Sequence, residues 1–375
     1  MPATVVLNGL AVSGHHVGGA LEYVVQLARH IDKVAAGLRV KVLMQRDALP
    51  VYGEQLRNLV PLNLPFAARS RTARVLFEQL LAPYMALSLD ADLLHAPVNV
   101  APFVLPCPLV LTVHECEPFK GTQGLPGHVK AWWLVSRRWS VRKAELIFAP
   151  SAATMRDLSR YMNVPEDRVV VTPLGVDHSQ FWPDEAAGAM LRERLGHYFL
   201  WIGVPYPRKN LPTLLRAFAR LSNPEVKLLL VGPKEWINAV TKPWLSKLGI
   251  GDRVIFAGRL SVPELRAALS GSVALVAPSL EEGFGLPALE AMACGTPVIA
   301  NDIPAFREVA GPVAMLVDAT SVECLRNAME RMLEDAQLRR LVAERGIQRA
   351  ADFTWLRTAQ LTAVVYRRIL RCMWP

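Results

Sequence analysis

The 375-residue sequence has little of what marks several whole classes of protein. Its five cysteines (Cys107, Cys116, Cys294, Cys324, Cys372) are odd in number and form no C-x-x-C pair. A disulfide framework and a zinc knuckle are therefore not expected, and a reducing compartment is. No apolar run reaches the roughly 18 residues a membrane span needs, so no crossing helix is expected. The opening MPATVVLNGL has no basic segment and meets Gly9 too early for the apolar stretch of a secretory leader, so none is expected. No repeat of about 20–50 residues occurs, and no low-complexity tract. Charged residues are only 20% of the chain, against 52% hydrophobic, which is ample core for two ordinary domains. Acid is the scarcer charge: 42 Lys and Arg against 33 Asp and Glu leave +9. That excess suits a phosphorylated small molecule or an anionic membrane surface. No compact basic and aromatic recognition motif appears, so nucleic acid is not an expected partner.

What is present is organised around Ala277–Ala300, APSLEEGFGLPALEAMACGTPVIA. The apolar runs Val273–Val276 and Pro297–Ala300 read as short buried strands at its two ends. Between them lie a turn rich in Gly and Glu and a helix opening near Pro287, where proline's missing N–H costs nothing. Gly295 and Pro297 end that helix. A helix start beside Gly283 and Gly285 is a ready anion site. Glu282 and Glu290 bracket it. Two carboxylates around a phosphate-seeking turn suit a ligand that also carries hydroxyls, as a nucleotide sugar does.

The first half alternates strand and helix. Thr4–Leu7 reads as a strand, followed by a loop with Gly18 and Gly19 and a helix from about Ala20 to Val34. Arg39–Met44, Leu93–His95 and Pro108–Val113 are further strands, with a helix over 71–87. The last of these strands runs into His114, a candidate because the carboxyl ends of parallel strands face the ligand. His128–Lys143 reads as a basic helix with Trp132, Val135 and Trp139 on one face. That face suits either the domain core or an anionic membrane. Ser151 is placed as the N-cap of a helix through Tyr161. The stretch 173–183, PLGVDHSQFWP, is the expected linker. The pattern restarts after Leu195. Tyr198–Ile202 is a strand whose loop carries Arg208 and Lys209, a pairing suited to a diphosphate. Strands at 226–231 and 253–257 follow, the second ending at Gly258-Arg259, where a base could lie. Two such series predict an α/β chain of two doubly wound parallel sheets, with ligand loops facing a cleft.

At Glu282–Ala300 the chain resembles the E-x7-E signature of family 4 of the retaining glycosyltransferases, which have the GT-B fold. The likeness extends to Gly18-Gly19, VHE at 113–115, APSAATMRDL at 149–158, PLGVD at 173–177, RKN at 208–210 and FAGRL at 256–260, in the family's order. It departs at Glu281, where the family often has an aromatic residue, and at Glu115, where Asp is common. The resemblance implies that Glu290 holds the ribose hydroxyls of a nucleoside diphosphate sugar, GDP- or UDP-linked. Glu282 would meet the donor sugar, beside the backbone of Gly283, Phe284, Gly285 and Leu286. Arg208 and Lys209 would stabilise the diphosphate as leaving group. Gly18 and Gly19 would approach the phosphates or the acceptor, and His114 the sugar. It further implies a domain over 1–183 completed by a returning helix at about 356–375, and a second over 184–355. Neither metal nor cofactor is implied, in keeping with the lack of Asp-x-Asp in the ligand loops. The expected reaction is retaining transfer of a hexose, mannose or similar, to a saccharide or lipid-linked saccharide acceptor in polysaccharide biosynthesis. Acceptor choice would lie in loops 45–70 and 115–128. The expected location is cytoplasmic, with peripheral contact at the inner membrane. Two alternatives stay open: a nucleotide-sugar epimerase of the same fold, and a non-catalytic glycan-binding relative.

Overall fold

A computed structural model describes residues 2–12, 18–48, 56, 58–63, 71–121 and 127–373, with the side chains of 71–76, 118, 128 and 373 set aside. Most of 45–70, and residues 122–126 of 115–128, where acceptor choice was expected, lie outside what is described. The chain falls into two compact units that change over between Gly175 and Val176 and again between Thr354 and Trp355. The first changeover lies inside the expected linker, eight residues before its end at Pro183, because Val176 pairs with Thr354 and its N–H bonds the Phe353 carbonyl.

The first unit holds β1 (Ala3–Asn8), β2 (Leu38–Gln45), β3 (Leu59–Leu62), β4 (Leu93–Ala96), β5 (Leu109–Thr112), β6 (Leu146–Ala149) and β7 (Val169–Val171). All pair in parallel, in the order β3-β2-β1-β4-β5-β6-β7. The inner strands are buried on both faces, which is why they read as unbroken apolar runs. β3 was not foreseen: its LVPL is short, at the sheet edge, and carries a proline. The helix Trp355–Met373 packs on the helix Gly19–Val34 and so belongs to this unit.

The second unit holds β8 (Tyr198–Ile202), β9 (Lys227–Val231), β10 (Val254–Gly258), β11 (Ala274–Ala277), β12 (Val298–Asn301) and β13 (Met315–Val317), all parallel, in the order β10-β9-β8-β11-β12-β13. Its core gathers Phe199, Trp201, Leu214, Phe218, Leu230 and Val276. The helix Glu185–Leu195 was also not foreseen, since only Gly188 of its residues is buried and no apolar stripe marks it. Its signal is Asp184, whose side chain accepts from the Ala187 N–H at 3.2 Å and caps the first turn.

Candidate active site

Topology marks the place before any side chain is considered. In the second sheet β8 and β11 are neighbours, yet the chain leaves β8 toward β9 and leaves β11 toward β12, in opposite directions. The loops at their carboxyl ends therefore part and open a crevice. Arg208 and Lys209 sit on the loop after β8; Glu282 sits on the loop after β11. Arg208 Nη1 bonds Glu282 Oε2 at 3.2 Å, and Lys209 Nζ is paired with Glu282 Oε1. The side chains are 12%, 13% and 11% exposed, so the charges are largely removed from water, and the one carboxylate offsets only one of the two cations. Burial pushes the Glu282 carboxyl up, but Lys209 and then Arg208 outweigh it and hold the group below the usual carboxylate range. Glu282 is thus ionised at neutral pH. It orders both cations, a role the sequence did not disclose.

The two loops are held by backbone and amide contacts. The Leu280 N–H donates to the Arg208 carbonyl at 2.7 Å. Buried Asn301, at the end of β12, donates to the Ser279 carbonyl at 3.0 Å and accepts from the Ala319 N–H at 3.0 Å. Asn210 donates to the Ala319 carbonyl at 2.8 Å, with its own backbone left-handed at φ 52°. Neither asparagine was singled out from sequence, since nothing local signals contacts made some 20 or 100 residues away. Gly232 has φ +152°, and a Cβ there would fall well under 3.0 Å from the Gly203 carbonyl oxygen. The Gly232 N–H in turn donates to the Gly258 carbonyl at 2.9 Å. The ends of β8, β9 and β10 thus approach closely through glycine. Arg259, one residue on, is exposed.

After Glu282 the chain turns through buried Gly283 and Phe284 to Gly285, whose φ is +100° and whose Cβ would strike the Phe306 ring at 2.7 Å. The helix Leu286–Ala293 starts there with Pro287 in its first turn. Glu290 lies half-buried in the last turn of that helix. Burial first, and then the Glu290 charge, push the Cys294 thiol up to about 12, so this cysteine is inert. All five cysteines are free.

In the first unit β1 and β4 form the equivalent divergence. His114 follows β5. Its N–H is fixed by Asn99 Oδ1 at 2.7 Å, and its Nε2 lies 2.9 Å from the Pro97 carbonyl. A carbonyl only accepts, so the proton is on Nε2 and Nδ1 keeps a lone pair. Burial holds the imidazole down at about 4, against opposing contributions from Pro97 and Glu115. It is neutral at pH 7 and cannot serve as a cation. Tyr23 packs edge-on against it, ring centroids 5.0 Å apart. Beneath runs a buried polar chain: Tyr366 Oη to His95 Nδ1 at 2.6 Å, His95 Nε2 to Thr112 Oγ1 at 2.7 Å, and Thr112 Oγ1 to Tyr23 Oη at 3.1 Å. Buried Arg137 donates to the Glu115 carbonyl at 2.9 Å and stacks on Trp133, so it braces the His114 turn from the basic helix. Gly18 stands at the start of the helix Gly19–Val34 in extended backbone, and a Cβ on it would meet nothing within 4 Å. Its being glycine is therefore explained neither by conformation nor by packing among the described residues.

Among the described residues no cluster of three or more metal-ligating side chains occurs. The Asp-x-Asp at 90–92 lies before β4, at the opposite end of the strands from the ligand loops, and Asp92 there accepts from the Thr4 N–H at 2.7 Å. Of the residues expected from sequence, Arg208, Lys209 and Glu282 are brought into direct contact. Gly283, Phe284, Gly285 and Leu286 form the adjoining turn, and Glu290 follows on its helix. Gly258 sits at the end of β10 and is joined to the glycine approach.

Comparison with known proteins gives the family and the fold. Residues 195–349 match the family described as "Glycosyl transferases group 1", and residues 17–180 match "Glycosyltransferase Family 4". The chain is 33% identical over 279 residues to MMP alpha-(1->4)-mannosyltransferase of Mycolicibacterium hassiacum, covering 70% of this chain and 66% of that protein. It is 28% identical over 265 residues to O-antigen chain mannosyltransferase B of Escherichia coli, covering 69% and 70%. The matched region thus spans about two thirds of these relatives. In fold it superposes on sucrose-phosphate synthase from Thermosynechococcus elongatus with a TM-score of 0.81 at 22% identity, over 99% and 100% of the two chains. The protein belongs to the family 4 glycosyltransferases, and its two parallel α/β sheets are those of the GT-B fold.

Proposed function

We propose that this protein transfers a hexose, mannose in the first instance, from a nucleoside diphosphate sugar to a saccharide or lipid-linked saccharide, with retention and without a metal. The observation that carries this reading is the Arg208–Lys209–Glu282 cluster at the β8/β11 divergence. Two fixed cations in a largely water-excluded turn are suited to the charge that grows on a departing diphosphate. Arg208 and Lys209 take the phosphates. Glu282 orders them and accepts from the sugar hydroxyls. Glu290 takes the ribose hydroxyls, the Gly283–Leu286 backbone flanks the diphosphate, and Gly258-Arg259 borders the base.

In the reaction the bond between the sugar C1 and the diphosphate oxygen breaks. The acceptor oxygen bonds C1 on the same face, and its proton passes to a departing phosphate oxygen. No covalent nucleophile is needed. Glu282, held ionised between two cations, is not the proton donor. His114, neutral with a free lone pair on Nδ1, accepts a hydrogen bond from a sugar hydroxyl. Gly18, whose Cβ position meets nothing within 4 Å among the described residues, leaves room for phosphate or acceptor. The choice of mannose follows the two mannosyltransferases named above.

The test is transfer from GDP-mannose and UDP-glucose to saccharide acceptors, with titration of GDP and UDP. Glu290→Ala is expected to weaken donor binding, and Arg208→Ala or Lys209→Ala to lower turnover by about a hundredfold or more, the usual loss when one stabilising donor is removed. Wild-type donor affinity in Glu290→Ala would refute the ribose assignment. Conversion of the nucleotide sugar without any acceptor would favour an epimerase instead.

A further inference from the structure

We propose that one face of the first unit docks on an anionic lipid surface. The inference extends the lipid-linked-acceptor reading above, but vesicle binding can be measured whether or not that reading holds.

The connections β3 to β4 and β5 to β6 run the same way across the first sheet. Right-handed crossovers therefore place the helices Arg71–Ser88 and Gly127–Lys143 on one side of it. Both feed the same core, through Ala82 and through Val141. The β4–β5 loop is tied to both: the Phe103 N–H donates to Gln79 Oε1 at 2.8 Å, and the Ala101 N–H donates to Ser140 Oγ at 2.9 Å.

The outer surface of this layer is apolar. On the first helix Ala82 and Ala86 face the core, while Leu80, Tyr84 and Leu87, at i, i+4 and i+7, are 74%, 64% and 62% exposed. The loop adds Val104, also exposed, and Phe103. The Phe103 ring meets Trp132 edge-on at 5.6 Å, and Val135 lies one turn further along that helix, exposed as well. Apolar side chains on two helices and the loop that joins them are more than the scattered exposure any surface shows. Trp139, seven positions beyond Trp132, also meets the Phe103 ring edge-on at 5.0 Å, but it is half-buried against the core and supports this face from beneath.

Charge decides the occupant. The helix Gly127–Lys143 contains no acidic residue. Exposed Arg138 and Arg142 stand three and seven positions beyond Val135, hence on its side of the helix. A second copy of this chain would set these cations against one another. Anionic headgroups complement them, and Trp and Val enter the acyl boundary while the arginines reach the phosphates. No helix among the described residues is long and apolar enough to cross a membrane, so the layer lies along the surface.

The test is co-sedimentation of the full chain with phosphatidylglycerol-containing vesicles and with pure phosphatidylcholine vesicles at low and high salt. Binding is expected only with phosphatidylglycerol, and is expected to fall as salt rises. Each basic side chain near such a surface contributes roughly a fivefold factor, so R138Q with R142Q is expected to weaken partition by about thirtyfold. Trp132→Ser with Val135→Ser is expected to abolish binding, with GDP binding unchanged as the check on folding. Leu80→Ser with Tyr84→Ser tests the face on the other helix and is expected to weaken it too. Absence of binding at low salt would overturn the proposal. So would binding that none of the variants alters, or a dimer in sedimentation velocity that all of them dissociate.

Discussion

Replacing Gly232 by alanine tests whether the loop that carries Arg208 and Lys209 is built on a glycine-to-glycine approach. The added Cβ would fall well under 3.0 Å from the Gly203 carbonyl oxygen, which is backbone and cannot swing aside. The end of β8 or of β9 must give way. Overpacking of this kind costs about 1–3 kcal/mol, and an L-residue forced to φ +152° adds about 1–2 kcal/mol, for a total of about 2–5 kcal/mol. The displacement falls on Lys209 directly, since its Cε lies 3.6 Å from the Cβ position of Gly203. A shift near 1 Å there is expected to lower turnover by about a hundredfold. Urea unfolding followed by tryptophan fluorescence gives the stability, and donor turnover gives the second quantity. Gly18→Ala is the contrast: its backbone is extended and its Cβ meets nothing within 4 Å among the described residues. It is expected to stay within about 0.5 kcal/mol of wild type yet to lose transfer activity, if the proposed ligand uses that space. The reasoning is refuted if Gly232→Ala unfolds at the wild-type denaturant midpoint, or if Gly18→Ala destabilises more than Gly232→Ala.

Two further outcomes concern charge. Glu282→Gln leaves Arg208 and Lys209 without their shared anion and is expected to cost about 3 kcal/mol at neutral pH. Because the folded carboxyl titrates below its unfolded value of about 4.3, that difference is expected to shrink as pH falls below 4; a gap that persists in acid would exclude the pairing as its source. His95 is held down at about 3 by burial, with His114 beside it, so the folded state refuses a proton that the unfolded chain takes at about 6.5. Stability from this group is complete above pH 6.5 and declines as pH falls toward 3, by about 2 kcal/mol at pH 5. Imidazole NMR should find His95 unprotonated at pH 5, and a midpoint near 6 would contradict its place in the Tyr366–His95–Thr112 chain.

The sequence was most informative where periodicity and loop chemistry coincide. Inner strands such as Tyr198–Ile202 are apolar because both faces are covered, and their bounds could be read closely. The Glu282 turn was legible because its glycines, proline and carboxylates lie within nine residues. What escaped has a common cause. Asn301 and Asn210 act through contacts far along the chain, and the Tyr366–His95 bond spans 271 residues. No local pattern reports such pairs. The edge strand Leu59–Leu62 and the helix Glu185–Leu195 escaped because each buries too little to impose a period. The basic helix was ambiguous for a physical reason: Trp132 and Trp139 share a face and both meet the Phe103 ring, but Trp132 keeps part of its surface exposed while Trp139 packs against the core.

The return of Trp355–Met373 to the first unit has a consequence for synthesis. Val176–Thr354 is contiguous and can close as soon as it leaves the ribosome. The first unit cannot, although it is made first. Until residues 355–373 emerge, His95 lacks Tyr366, the helix Gly19–Val34 lacks its packing partner, and the Thr358 hydroxyl is not there to donate to the Pro173 carbonyl at 2.6 Å. The order of completion is the reverse of the order of translation. Loss of residues 355–373 would injure the unit whose strands precede those of the other.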